Sequence, residues 1–198
     1  MEIEMTETDR YCTHDRKPFF EFAAGFIKEG DRVLDAGGGN GAFARVTGRT
    51  DIYILDSNPV SVEKLKDSYP NARLGSVTDM PYEAESFDVI HCSHVVEHLQ
   101  PEDVYLFMKG ASVCLKDGGY LIISAPTMWY GFYDDLSHIK PYNANVFIHY
   151  LCGGNRSPRT REVIGGFVKE ALVQRTLQME DGTRINTGFT LVLKRVRG

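Results

Sequence analysis

Residues 33–41 read Val33-Leu34-Asp35-Ala36-Gly37-Gly38-Gly39-Asn40-Gly41, a short apolar run that meets an acid and opens into glycine. Arg32 to Ala36 predicts a buried strand, and a helix begins at Ala42. Glycines between a strand and a helix let the backbone come close to a ligand at the sheet's carboxyl edge. Outward from this point the chain alternates short apolar runs with amphipathic stretches. Lys17 to Lys28 spaces Phe19, Phe22, Phe26 and Ile27 along one helix face, with Gly30 as its stop. Further strands are expected at Asp51 to Asp56, Ala72 to Leu74, Phe87 to Cys92 and Tyr120 to Ala125. Helices follow Pro59 and Pro101, and Lys116 to Gly119 is a tight turn. Two last strands, Phe167 to Thr176 and Asn186 to Val196, flank Glu180-Asp181-Gly182 as an antiparallel hairpin. Strands separated by helices of this size predict an α/β fold with a mostly parallel sheet.

The 198 residues suit one domain, with 42% hydrophobic and 25% charged residues. Its expected parts are an N-terminal helical segment (1–30), a cofactor-binding core (31–125), a lid or substrate insertion (126–160) and the C-terminal hairpin (161–198). No apolar run reaches the ~18 residues of a membrane span, and the polar N-terminus carries no secretory pattern. Cys12, Cys92, Cys114 and Cys152 form no CxxC pair, which suits reduced thiols in the cytoplasm. A net charge of −5 argues against nucleic acid as the partner. Residues 140–198 nevertheless hold ten Lys/Arg against four acids. Arg156, Arg159 and Arg161 are candidates there for an anionic substrate, beside the plain reading of a solvated face. The sequence assigns no oligomeric state.

Gly37-x-Gly39-x-x-Ala42, with Asp56 19 residues after Gly37, satisfies a dinucleotide fingerprint. Three acids redirect that reading. Asp35 precedes the first glycine, where a pyrophosphate is repelled and a cationic ligand welcomed. Asp56 and Asp79 follow the second and third strands, so all three face the carboxyl edge. Together they suit a ligand with a positive charge, a ribose diol and an adenine amine.

With these motifs in order (VLDAGGGNG, ILDSNP, SVTDMPY, SFDVIHCSHVVEHL, LKDGGYLIISAP) the sequence resembles the class I S-adenosylmethionine-dependent methyltransferases of small-molecule type. The resemblance runs from about Val33 to Pro126. It implies a Rossmann-like, seven-stranded sheet with helices on both faces, closed by the hairpin. It also implies S-adenosylmethionine as cofactor, with Asp35, Gly37 and Gly39 at its methionine end and Asp56 and Ser57 at the ribose. Asp79 would take the adenine amine, Met80 would lie against the ring, and Ser93 and His94 beside the sulfonium. Each acid also has a local alternative: Asp56 suits a helix cap and Asp79 a turn. Gly38 departs from the family pattern, where a larger residue or Cys is common.

Methyl transfer to a hydroxyl needs positioning and a base. His138, in Asp134-Asp135-Leu136-Ser137-His138, is the first candidate and His94 the second. Glu97 and His98 read as structural. Asp134, Asp135 and His138 have metal-ligand chemistry, but cation-dependent catechol-type relatives place their acids elsewhere, so no metal is assigned. Seven of the 22 aromatics fall in residues 129–150. Phe147, Ile148 and Leu151 suit a core, whereas Trp129, Tyr130, Tyr133 and Tyr142 are candidates for a substrate lining. The fourth strand lacks the N/D-P-P-Y/F of exocyclic amino methyltransferases, and Cys92 has no Pro-Cys context, so a small metabolite or sugar is the expected acceptor. Two alternatives remain beside this reading: a non-catalytic cofactor-binding module that regulates a partner, and a nicotinamide-dependent oxidoreductase.

Overall fold

The structure is a computed structural model that describes residues 10–153 and 161–197. Seven strands form one sheet: β1 (Val33–Ala36), β2 (Tyr53–Asp56), β3 (Ala72–Leu74), β4 (Phe87–Ser93), β5 (Leu115–Pro126), β6 (Phe167–Gln178) and β7 (Arg184–Arg195). Their order is β3-β2-β1-β4-β5-β7-β6. The first five are parallel, and β7 and β6 close the sheet antiparallel. The direction of winding reverses between β1 and β4, and ligands of open α/β sheets bind outside the strand ends at that reversal.

The two-residue period of the strands feeds two cores. Leu34, Leu55, Ile90, Leu121 and Ile123 face one side, with Phe107 and Met108 of α4 (Pro101–Cys114) and Phe147 and Leu151 of α5 (Ala144–Leu151). Val33, Ile54, Val89 and Ile122 face the other. There they meet Phe20 and Ala23 of α1 (Lys17–Ala24), Phe43 and Ala44 of α2 (Ala42–Thr47) and Leu65 of α3 (Pro59–Leu65). Helix starts follow local chemistry. Asn58 accepts the Val60 and Ser61 N–H groups at 2.9 and 3.4 Å ahead of Pro59. Pro101 opens α4, with Glu102 and Asp103 in its first turn.

Boundaries differ from the sequence reading in three places. Helix α1 stops at Ala24, because Phe26 and Ile27 turn tightly back onto Ala23 and Ala24 (N···O 3.1 and 3.0 Å). That turn lets Phe26 pack on Tyr120, with ring centroids 5.3 Å apart. Lys116 to Gly119 are part of β5, as an irregularity opposite β4 between the Phe87–Leu115 and Val89–Tyr120 pairs. The final strands run on to Gln178 and from Arg184, so the hairpin is longer at its turn.

The glycine loop is held on β2. The N–H groups of Gly37 and Gly38 donate to the Leu55 carbonyl at 2.7 and 3.3 Å. Gly37 has φ +77°, and a Cβ there would lie 2.3 Å from Val95 Cγ2. Gly39 has φ +54° with open space above it. Gly37→Ala is therefore expected to combine left-handed strain of about 1–2 kcal/mol with overpacking of about 1–3 kcal/mol, and Gly39→Ala to cost the strain alone. Urea denaturation of both variants checks this ordering; equal losses would contradict it.

Candidate functional site

The carboxyl ends of β1 and β4 enclose a cleft of about 300 Å³ floored by the glycine loop, with Arg16, Asp35, His91, Ser93 and His94 around it. Asp35 is buried, and its Oδ1 accepts the Nδ1–H of His91 at 2.8 Å while its Oδ2 has no partner. The His91 ring stacks on Phe43 with centroids 3.7 Å apart. A Cβ at Gly38 would stand 2.7 Å from both Asp35 Oδ2 and Ile54 Cγ2, so the departure at Gly38 answers a local packing demand. Asp56 is half-buried at the end of β2. Its Oδ2 accepts the Gly39 N–H at 2.7 Å and its Oδ1 the Asn58 N–H at 2.9 Å. Ser57 is exposed beside it.

The remaining expected positions divide. Asp79 is exposed past β3, in a turn closed by its N–H on the Ser76 carbonyl at 3.2 Å. Met80 is half-buried and packs on Gly110 of α4, where a Cβ would lie 3.5 Å from its Cε. Its thioether thus belongs to the core edge. Trp129 folds over Gly131 and against Tyr130, but Tyr130 and Tyr133 are exposed and none of the three lines the cleft. Tyr142 is a correction: it is buried against Phe147 and faces a separate pocket with Tyr105 and Lys140, away from the cleft. Ile148, expected in the core, is only half-buried at its margin. Arg161 is paired with Glu102 and is thereby drawn away from an anion-binding role. Arg156 and Arg159 lie outside the described residues.

The two histidines differ in readiness for proton transfer. His94 sits at φ +57°, with Nδ1 3.0 Å from Ser93 Oγ. Its Nε2 accepts from Arg175 Nη1 at 3.3 Å. Burial first, then the Arg16 and Arg175 charges, hold it neutral well below the ordinary histidine range. Its basic nitrogen is engaged, so His94 is a poor base. His138 donates Nδ1–H to the Phe132 carbonyl at 2.6 Å, and Nε2 carries the lone pair, 4.0 Å from Asp135 Oδ2. The ring leans on Phe132 and on His98, centroids 4.6 and 4.9 Å away.

Sequence reasoning read Glu97 as structural and did not single out Arg175. Glu97 is fully buried and burial raises its carboxyl to about 7, against the pull of Arg16 and Arg175. Arg175 is pushed down to about 10 by burial and by Arg16, and lies over Phe19 at 4.6 Å. An acid inside the apolar Val95-Val96-Glu97-His98-Leu99 run, just past a strand's carboxyl end, was the available signal. Arg175 had none, since it meets His94 only in the fold. Burial raises the Cys92 thiol well above its ordinary range, which removes it as a nucleophile.

The model of the methyltransferase domain family matches residues 7–158. The chain belongs to that family. The family's cofactor is S-adenosylmethionine, and the edge residues fit it: Asp56 presents a half-buried carboxylate, Gly39 leaves its side open, and Asp35 keeps an unpartnered oxygen at the loop. Erythromycin 3''-O-methyltransferase of Saccharopolyspora erythraea is 38% identical over 113 residues, covering 51% of this chain and 36% of that protein. The chain spans about a third to a half of the length of the curated relatives it matches. The fold is shared with a geranyl diphosphate methyltransferase solved with S-adenosylmethionine (TM-score 0.66, 13% identity, 91% of this chain and 85% of that one). The [4+2]-cyclase SpnF shares it too (TM-score 0.70, 14% identity, 92% and 82%). No helix among the described residues is long and apolar enough to cross a membrane.

A depressed histidine favours the folded state above its ordinary pKa and costs stability as pH falls below it. Between pH 7 and pH 5 the methyltransferase domain is expected to lose stability through His94, by no more than about 1.4 kcal/mol per pH unit for one proton. His94→Asn, which tolerates the left-handed backbone, is expected to lack that component. Urea denaturation of both proteins at the two pH values measures the difference; parallel losses would contradict the assignment.

Proposed function

We propose that this chain is an S-adenosylmethionine-dependent methyltransferase that acts on a hydroxyl of a small molecule, a metabolite or sugar. The observation that carries the reading is Asp56. Its carboxylate organises the loop through Gly39 and Asn58 while remaining half-exposed at the end of β2, beside the reversal of the sheet, where a ribose diol is its natural partner. Bound there, S-adenosylmethionine supplies a sulfonium methyl group, which the acceptor oxygen takes as the S–C bond breaks and leaves its electron pair on sulfur. Asp35 offers negative charge near the methionine end, and Gly37 and Gly39 permit close backbone approach. Ser93 and His94 border the cleft beyond. Asp79 stays in this reading as the adenine contact, supported by its exposed position past β3.

Loss of the acceptor's proton is assigned to His138, supported by the lone pair on Nε2 with Asp135 nearby and a ring fixed from the Nδ1 side. His94 is left with the task of orienting Arg175. An anionic group on the acceptor would meet Arg16, which lines the cleft, with Arg175 behind it on His94. The oxygen acceptor is supported by the named activity of the Saccharopolyspora erythraea relative. A cytoplasmic setting belongs to the same reading, with the four cysteines as free thiols.

Titration with S-adenosylhomocysteine tests the cofactor part. Asp56→Ala is expected to weaken binding about ten- to hundred-fold, the equivalent of lost charged hydrogen bonds of about 1.5–3 kcal/mol. No binding by the wild type, or NADH binding in its place, would overturn it. With a methylated acceptor found in a panel of sugars, phenols and hydroxy acids, His138→Ala is expected to lower turnover about 10²–10⁴-fold. Unchanged turnover would remove His138 from the chemistry.

A further inference from the structure

Glu97 poses a problem that the transferase reading leaves open. It lies in the single turn Val96–His98, its side chain is fully buried, and neither carboxylate oxygen has a hydrogen-bond partner. A buried acid is ordinarily paired or bound to a metal, because desolvation of the lone group costs several kcal/mol. Arg16 and Arg175 act on it electrostatically, but neither hydrogen-bonds it.

Two imidazoles converge on the same point. His98 has its Nδ1 3.1 Å from the Ser137 carbonyl, and His138 has its own 2.6 Å from that of Phe132. A carbonyl oxygen only accepts, so each ring is set with Nδ1–H outward and a lone pair on Nε2. The Nε2 of His98 is 4.0 Å from Glu97 Oε1, and one ligand atom from each of the three residues lies within 4.8 Å of the others. Histidines that bind metals are held in this way, the far N–H donated to a carbonyl or carboxylate. The backbone reinforces the approach. The Glu97 carbonyl accepts the N–H groups of Ile139 and Lys140 at 2.8 and 3.3 Å, clamping the His138 loop onto the Glu97 turn.

We propose that Glu97, His98 and His138 form a binding site for one divalent transition-metal ion. Two imidazoles and one carboxylate suit zinc, cobalt or iron(II) better than magnesium or calcium, which favour all-oxygen sets. Ligand bonds of about 2.0–2.2 Å place the donor atoms of one ion roughly 3–3.5 Å apart, so the three close by about an ångström on binding. Three protein ligands leave a coordination position open, as catalytic sites do. The site departs from the metal-free expectation drawn from Asp134, Asp135 and His138: Glu97 and His98 take the acids' part. Its use in catalysis rests on the hydroxyl-acceptor reading: a bound ion would occupy the Nε2 lone pair of His138 and would itself acidify the acceptor hydroxyl, whose proton would pass to water. Its existence does not.

The test is a titration of the chelator-stripped, tag-free full chain with Co²⁺, followed by calorimetry and by the visible d–d absorption of the ion. Glu97→Gln, His98→Gln and His138→Gln are measured alongside, each with S-adenosylhomocysteine affinity as the check on folding. The expected result is one Co²⁺ per chain, bound at least ten-fold more weakly by each variant, while affinity for S-adenosylhomocysteine is kept. Absence of saturable Co²⁺ binding, or equal affinity in all four proteins, overturns the site. S-adenosylhomocysteine binding without Co²⁺ binding sinks this inference and leaves the transferase standing; Co²⁺ binding without S-adenosylhomocysteine binding does the reverse.

Discussion

The hydrogen bond between Asp35 and His91, 2.8 Å long and buried from solvent, joins the two strands at which the sheet reverses. A buried carboxylate without a partner is costly, so this bond is what allows an acid to stand at the base of the glycine loop. The His91 ring is held by Phe43 on one face and lies edge-on to Phe20, and those two phenylalanines bring α1 and α2 against β1 and β4. The second oxygen of Asp35 then sits where any side chain at residue 38 would collide with it. Loop, acid and helix starts are one packed unit, and the cleft is its outer surface.

From that unit the polar residues fan out in a consistent order. Asp56 fixes the loop from the β2 side, and Gly37 lies against Val95 just past β4. Two residues after Val95 comes Glu97, whose backbone carbonyl holds the His138 segment in place. The short stretch past β4 thus links the glycine loop to the His138 segment within a few positions. The same architecture serves proteins of different named activities, a geranyl diphosphate methyltransferase and a [4+2]-cyclase among them. Chemistry is therefore argued from the side chains at the edge and not from the sheet.

Much of this was legible in the amino-acid sequence, for physical reasons. The parallel strands are buried on both faces and read as short apolar runs, and glycines with positive φ mark the loop that follows the first. The placement of Asp35 and Asp56 at the carboxyl edge was legible because each lies at the end of an apolar strand run. Tyr142 was misread because aromatic density alone does not separate a pocket wall from a core; its neighbours Phe147 and Leu151 are both fully buried. Glu97 and His138 lie 41 residues apart in the numbering, and their meeting depends on a loop clamp that no local pattern encodes. Arg175 reaches His94 across 81 residues, from the sheet's edge strand β6, for the same reason.

The central claim is that an S-adenosyl ligand lies across the reversal of the sheet with its ribose on Asp56. A crystal structure of the full chain grown with S-adenosylhomocysteine tests it most directly. The account predicts ribose hydroxyls on the Asp56 carboxylate and the amino-acid end over Gly37 and Gly39 beside Asp35. A ligand seated elsewhere on the molecule, or a ribose that leaves Asp56 untouched, would contradict it.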